Sequence, residues 1–270
     1  MPTPTPRRPP LERDALVRAA GPRWDVVLLP ESPSTNAEAA RRARSGAGEG
    51  LVVVADHQTA GRGRLDRTWV TPAGAALTFS VVLAPEVPAA RWPWLPLLTG
   101  VAVVTGVRRS LGTTGTLKWP NDVLVDGLKV AGILVERVET DHGPVAVVGV
   151  GLNVSQTPEE LPVETATSLA VAAGGGEPDR TALLGHVLAA LGDGYDAWRS
   201  AGGDAGAVRS TYLAVCSTVG SEVRVQLPGG GTLEGTATGV DPDGRLEVVD
   251  ASGRRTVLGA GDVVHVRPRG

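Results

Sequence analysis

From Leu117 to Asn153 the chain reads as a strand meander, and its turn signals constrain the fold more than any other stretch. Asp126-Gly127 sits between two apolar runs, the strongest short hairpin signal in a sequence. With a two-residue loop there, Val125 faces Leu128, Leu124 faces Lys129 and Asp122 faces Ala131. Period-2 alternation then puts Asp122, Leu124, Lys129 and Ala131 on one sheet face. Asp122 and Lys129 become diagonal neighbours, within reach of long side chains.

Other strands and helices surround this meander. A helix begins near Leu11 and stops at Gly21-Pro22. Trp24 to Leu29 reads as a strand. Ser34-Thr35-Asn36 then opens a helix, with Ser or Thr as N-cap and Glu38 in its first turn. The unbroken apolar run Leu51 to Ala55 suggests a strand buried on both faces. A polar loop follows from Gln58 to Gly74, then a strand from Leu77 to Leu83. Leu97 to Val107 reads as a buried helix and Thr181 to Trp198 as an amphipathic one. After Cys216 about five short alternating segments, ending with Val263 to Val266, are separated by Gly- and Asp-rich turns. These predict a small SH3-like barrel. The expected units are a disordered leader over 1–10, a mixed α+β unit over 11–216 and the barrel over 217–270.

Composition narrows the class. The 270 residues carry 26 Lys+Arg against 29 Asp+Glu, a formal charge of −3, which argues against a dedicated nucleic-acid binder. The single cysteine, Cys216, cannot form an internal disulfide, so a cytoplasmic location is expected. The stretch between Arg91 and Arg108 is uncharged but too short for a membrane span. The proline-rich N-terminus has no apolar signal-peptide core. Of the 26 basic residues only Lys118 and Lys129 are lysine, and Asn occurs only at 36, 121 and 153. Residues that escape such a bias mark places where the particular side chain is needed.

Three segments carry chemistry. In Gln58–Trp69, Gly61 and Gly63 let the backbone approach a ligand and expose N–H groups to an anion. Arg62, Arg64 and Arg67 add planar cationic donors suited to carboxylate or phosphate. Trp69 offers a flat face for a nucleobase. A solvated loop is the plainer reading of a Gly/Arg stretch, and neither a Rossmann fingerprint nor a Walker A sequence is present. Lys118-Trp119-Pro120-Asn121-Asp122 leads into Lys129, a cation interrupting an apolar strand in a chain that otherwise uses arginine. Gly149-Val150-Gly151-Leu152-Asn153-Val154 is an apolar strand with one Asn, ordinarily a hydrogen-bonded core residue. The four histidines lack metal-ligand spacing, and no metalloprotease or nucleophile-elbow motif occurs.

Together and in this order, Ser34-Thr35-Asn36, the GRGRxxRxW loop, KWPND, K-x-A-G-I-L-V-E and G-x-G-L-N-V resemble the biotin–protein ligases from about Trp24 to Val154. The resemblance implies a mixed-sheet catalytic domain of the class II aminoacyl-tRNA synthetase type with a C-terminal SH3-like barrel. The 33 residues before Ser34 are too few for the winged helix of bifunctional members, so it implies the monofunctional class. The implied reaction is ligation of biotin to a specific lysine of a biotin carboxyl carrier protein through biotinoyl-5′-AMP, with biotin and Mg-ATP as substrates. Lys129, Arg62 and Arg64 would be catalytic. Ser34, Thr35, Asn36, Gln58, Gly61, Arg62, Gly63, Arg64 and Lys129 would bind biotin. Arg64, Arg67, Trp69, Lys118, Asn121, Asp122 and Asn153 would meet the adenylate, with Mg²⁺ held through the phosphates. The expected protein is a monomer or weak homodimer, without specific DNA binding or membrane association. A lipoate–protein ligase or octanoyltransferase shares this fold, but an R-R-x-S-G-G-G type loop is replaced here by Gly61-Arg62-Gly63-Arg64. A non-catalytic biotin sensor fits less well with Lys129 retained, and an SH3-like scaffold leaves the first 216 residues unexplained.

Overall fold

The computed structural model describes residues 8–65, 67–176, 178–227, 230–259 and 261–265. In chain order its elements are α1 (Arg13–Ala20), β1 (Asp25–Ser32), α2 (Thr35–Arg44), β2 (Leu51–Gln58), β3 (Gly61–Arg62), β4 (Thr68–Trp69), β5 (Ala76–Leu83), α3 (Trp94–Leu111), β6 (Gly115–Lys118), β7 (Asp122–Val125), β8 (Leu128–Val138), β9 (Val145–Asn153), α4 (Leu169–Ala172), α5 (Arg180–Ser200) and α6 (Gly206–Val215). Five strands follow: β10 (Glu222–Gln226), β11 (Thr232–Val240), β12 (Leu246–Val249), β13 (Arg255–Leu258) and β14 (Asp262–His265).

A seven-stranded sheet in the order β1-β2-β5-β9-β8-β7-β6 forms the scaffold. Only β1 and β2 run parallel; every other neighbour is antiparallel. Every residue of β5 is buried and β2 is buried from Leu51 to Ala55, as expected for strands covered on both faces. On one face Val52, Val54, Phe79, Val81, Val148 and Val150 pack with α1, α3 and α5. On the other, Val53, Val82 and Val147 meet the alanine stripe of α2, Ala39, Ala40 and Ala43. Small residues let that short helix lie close to the sheet, and Ser34 Oγ caps it by accepting from Ala37 N (3.4 Å). Helix α6 is an element that the apolar pattern does not reveal.

The five C-terminal strands form one antiparallel sheet in the order β13-β12-β11-β10-β14. Its core is continuous with that of the large sheet. Trp94 Nε1 donates to Pro242 O (2.7 Å) and Trp119 Nε1 to Gly244 O (3.0 Å), both from the large-sheet unit into the C-terminal sheet. Val266, the expected last strand residue, lies outside the described residues. Among those described, no helix is long and apolar enough to cross a membrane.

Three expectations change. The β7–β8 hairpin turns at Asp126 (φ 50°) and Gly127 (φ 76°), both left-handed as a two-residue I′ turn requires, and pairs Val125 with Leu128 and Leu124 with Lys129. Beyond that a bulge at Val130 sets Asp122 opposite Gly132, not Ala131. The extra residue turns Ala131 into the core and brings Gly132 to the face that carries Lys129. The polar loop after Gln58 contains a hairpin, β3 with β4, pairing Gly61 with Trp69 and Arg62 with Thr68. The expected leader is not disordered over its full length: residues 1–7 lie outside the described residues, but Arg8 and Pro9 are hydrogen-bonded into the fold.

Candidate active site

The α2 face of the sheet carries a cavity of about 1300 Å³. It holds every residue expected in the site except Gly61, which sits within the hairpin, paired with Trp69. A Cβ at Gly61 would fall 2.4 Å from Trp69 O, so glycine is what lets β3 and β4 close on each other.

The floor is made of glycines. Gly132 and Gly151 are cross-strand partners, and Gly149 pairs with Leu134. A Cβ at Gly149 would stand 2.1 Å from Asn36 Oδ1, and one at Gly151 would stand 2.5 Å from Trp69 Cε2. The strip therefore leaves room for side chains that arrive from α2 and the hairpin. Trp69, a candidate face for a nucleobase, lies down against this strip as a wall of the cavity. Its Nε1 is buried with no hydrogen-bond partner in the structure.

At the α2 end the polar side chains hold one another. Gln58 Oε1 accepts from Thr35 N (2.7 Å) and Thr35 Oγ1 (3.1 Å). Ser80 Oγ donates to Asn36 Oδ1 (2.6 Å), and Asn36 Nδ2 donates to Glu136 Oε2 (2.7 Å). Arg62 Nη2 lies 3.3 Å from the same carboxylate. Ser80 and Glu136 thus belong to the site's scaffolding. The motifs mark neither as a site residue, although Ser80 is, with Thr78, one of two polar residues in an apolar strand and Glu136 ends the K-x-A-G-I-L-V-E run.

Lys129 lies at the centre. Its Nζ is 2.6 Å from Asp122 Oδ1 and 5.9 Å from the Trp69 ring centroid. The side chain stays 34% exposed, so the ammonium is oriented yet open to a ligand. Asp122 also has Lys118 at 4.0 Å. Arg64 Nη1 donates to Asn121 Oδ1 (3.2 Å), and Asn121 Nδ2 to Ile133 O (3.0 Å), which ties the arginine loop to the turn before β7. Asn153 has its amide engaged: Nδ2 donates to Thr167 O (3.0 Å), and Oδ1 accepts from Gln156 Nε2 (2.9 Å). These bonds close the loop that follows β9.

The barrel supplies Val263, Val264 and His265 to the cavity, a contribution the motifs do not show. His265 Nε2 is 3.0 Å from Thr218 Oγ1, which accepts from Trp119 N (3.0 Å). Burial, and after it the Lys118 ammonium, holds His265 below the ordinary imidazole value. No group of three His, Cys, Asp or Glu among the described residues could hold a metal.

A cavity floored by bare backbone and ringed by cations suits a ligand that is partly apolar and anionic at one end. Similarity to known proteins places this arrangement in a class of protein–cofactor ligases. The model of the biotin/lipoate A/B protein ligase family matches residues 28–153, and that of the biotin protein ligase C-terminal domain matches residues 218–266. The chain is 44% identical to the biotin–[acetyl-CoA-carboxylase] ligase of Mycobacterium tuberculosis, across 96% of this chain and 97% of that protein. Biotin protein ligase from Aquifex aeolicus, in complex with biotin and ATP, superposes with a TM-score of 0.75 at 27% identity, covering 90% of this chain and 99% of that one. The Leishmania major enzyme in complex with biotinyl-5-AMP superposes at 0.61 with 27% identity, covering 87% and 99%. The chain belongs to the biotin protein ligase family.

Proposed function

We propose that the protein joins biotin to a lysine of a biotin carboxyl carrier protein in two steps. Biotin carboxylate attacks the α-phosphorus of ATP, giving biotinoyl-5′-AMP and pyrophosphate. The carrier lysine amine then attacks the acyl carbon and AMP leaves. The observation that carries this reading is Lys129, an oriented and accessible ammonium in the middle of the cavity.

Both substrates are anions, so the first step needs positive charge where they meet. Lys129 supplies it between the biotin carboxylate and the α-phosphate, and Asp122 aims it. Arg62 and Arg64 enclose the same region from the hairpin. Ser34, Thr35, Asn36, Gln58 and Gly63 line the end that takes the ureido ring, and Gly61 closes the hairpin beside them. Trp69 walls the channel beside Lys129, and the floor of Gly132, Gly149 and Gly151 leaves depth for the bicyclic ring. Lys118, Asn121, Asp122, Arg67 and Asn153 define the nucleotide end. Asp122, the only carboxylate lining the described cavity, already faces two lysines. Mg²⁺ would be held through the nucleotide phosphates, beside Lys118 and Lys129, and would supply charge neutralisation there.

The catalytic unit comprises residues 11–216 and the barrel 217–270. The net charge of −3 supports a protein without specific DNA affinity, and the lone cysteine supports a reducing, cytoplasmic setting. A monomer or weak homodimer completes the reading. The test is mass spectrometry of a carrier domain after incubation with enzyme, biotin and MgATP. A single added biotinoyl group that requires ATP supports the proposal. An unmodified carrier, or equal use of lipoate or octanoate, overturns it.

A further inference from the structure

The loop that follows β9 does more than lead the chain to α4. Strand β9 pairs with β8 only as far as Ala131, so the backbone of Lys129 has lost its β9 partner. Residues 165–167 take that place. Lys129 N donates to Thr165 O (2.8 Å), and Thr167 N donates to Lys129 O (2.8 Å), a parallel bridge on the open side of β8. The same loop gives Pro162, Val163, Thr165 and Ala166 to the cavity wall.

The outer turn of this loop is fastened from the N-terminal segment. Arg8 Nε donates to Ser155 Oγ (3.2 Å), Nη2 to Ser155 O (3.0 Å), and Nη1 to Glu160 Oε1 (3.1 Å), while Nη2 also reaches Glu160 Oε2. The Arg8 side chain is only 10% exposed. Glu160 in turn accepts from Thr157 N (3.0 Å) and closes a capping box with it. Beside Arg8, Pro9 O accepts from Arg180, whose other guanidinium nitrogen holds Asp56 (2.7 Å). The hydrogen bonding to Arg8 keeps the Glu160 carboxyl below the usual carboxylate range.

We infer that Arg8 is a positioning residue: through Glu160 and Ser155 it fastens the 155–167 loop, and the loop fixes the backbone from which Lys129 projects. The inference rests on the role proposed for Lys129. A backbone held on one side only can drift, and a displacement of about 1 Å at a reacting group can cost about 100-fold in rate. Arg8 is not among the residues that line the cavity, so its effect is indirect.

The test uses Arg8→Ala, Glu160→Gln and the exchanged pair Arg8→Glu with Glu160→Arg in the full chain. Three quantities are read: amide exchange at Lys129 and Thr167, biotin-dependent pyrophosphate release, and the urea midpoint. The expected result for each single variant is exchange faster by about tenfold or more at those two amides, adenylation slower by about tenfold, and barrel amides unchanged. The exchanged pair recovers part of both. Exchange at Lys129 and Thr167 within about twofold of wild type overturns the inference. So does faster exchange with an unchanged adenylation rate, or a loss of midpoint with uniformly faster exchange in both single variants. A wild type that releases no pyrophosphate instead removes the proposed function, and the exchange measurement still decides whether Arg8 holds Lys129.

Discussion

Lys129 shows how one side chain can be read from sequence and still be placed by details that sequence hides. A lysine in an apolar strand, in a chain with 24 arginines, stands out by its chemistry. The Asp126-Gly127 turn makes Asp122 its neighbour, and the structure puts the two 2.6 Å apart. The register reaches this contact by a bulge at Val130, which no residue pattern announces because valine suits a bulge no better than a regular strand. On the proposed mechanism, removing the ammonium takes away the charge placed between two anions. Lys129→Ala is expected to slow biotin-dependent pyrophosphate release by about 100–1000-fold, and a rate within about threefold of wild type would contradict the assignment. The floor glycines make a different demand. Gly149→Val would drive a side chain into Asn36, because even a Cβ there would stand 2.1 Å from Asn36 Oδ1. The expected outcome is loss of biotin binding by calorimetry, with far-ultraviolet dichroism preserved.

At the scale of elements, α2 and the β3–β4 hairpin are legible to different depths. The Ser-Thr-Asn triplet marks the start of α2, and Ser34 is its cap, because capping chemistry is local. Glu38 in the first turn bonds Arg41 and also Arg42, and these bonds hold its carboxyl down to about 2. That contribution is fully present above the ordinary glutamate value and disappears as the pH falls toward 2. Nuclear magnetic resonance of Glu38 should show a carboxyl still ionised at about pH 3.5, whereas a midpoint near the ordinary value of 4.5 would mean that the arginines do not hold it. The hairpin is hidden because its pairing depends on Gly61 closing against Trp69, a contact eight residues apart with no alternating pattern. Arg64 ties this hairpin to Asn121 and so encloses the channel. Arg64→Gly is expected to keep making the adenylate but release it, labelling serum albumin in a biotin blot. A variant active on carrier that labels albumin no more than wild type does would remove Arg64 from this role.

The whole molecule joins two units that the sequence separates by style alone. Alternating short strands disclose the barrel, but its part in the cavity depends on long-range packing: Thr218 bonds Trp119 and His265 faces Lys118. Because His265 is held neutral, acid opposes this junction. Its stabilising effect is complete above the ordinary imidazole value and lost as the pH falls through the lower value in the folded protein. His265→Gln keeps a hydrogen-bonding side chain without that titration, and should narrow the difference in thermal midpoint between about pH 7 and about pH 5. An unchanged difference would place the acid sensitivity elsewhere. The unbroken apolar core has a thermodynamic consequence for ligand linkage. Two bodies welded through Trp94 and Trp119 have no separate melting events to offer, so calorimetry should record one transition for the two sheets together. Occupancy at their shared boundary is then felt by both. A ligand at about a hundred times its dissociation constant adds about 2.7 kcal/mol to the stability of the barrel as much as to that of the sheet.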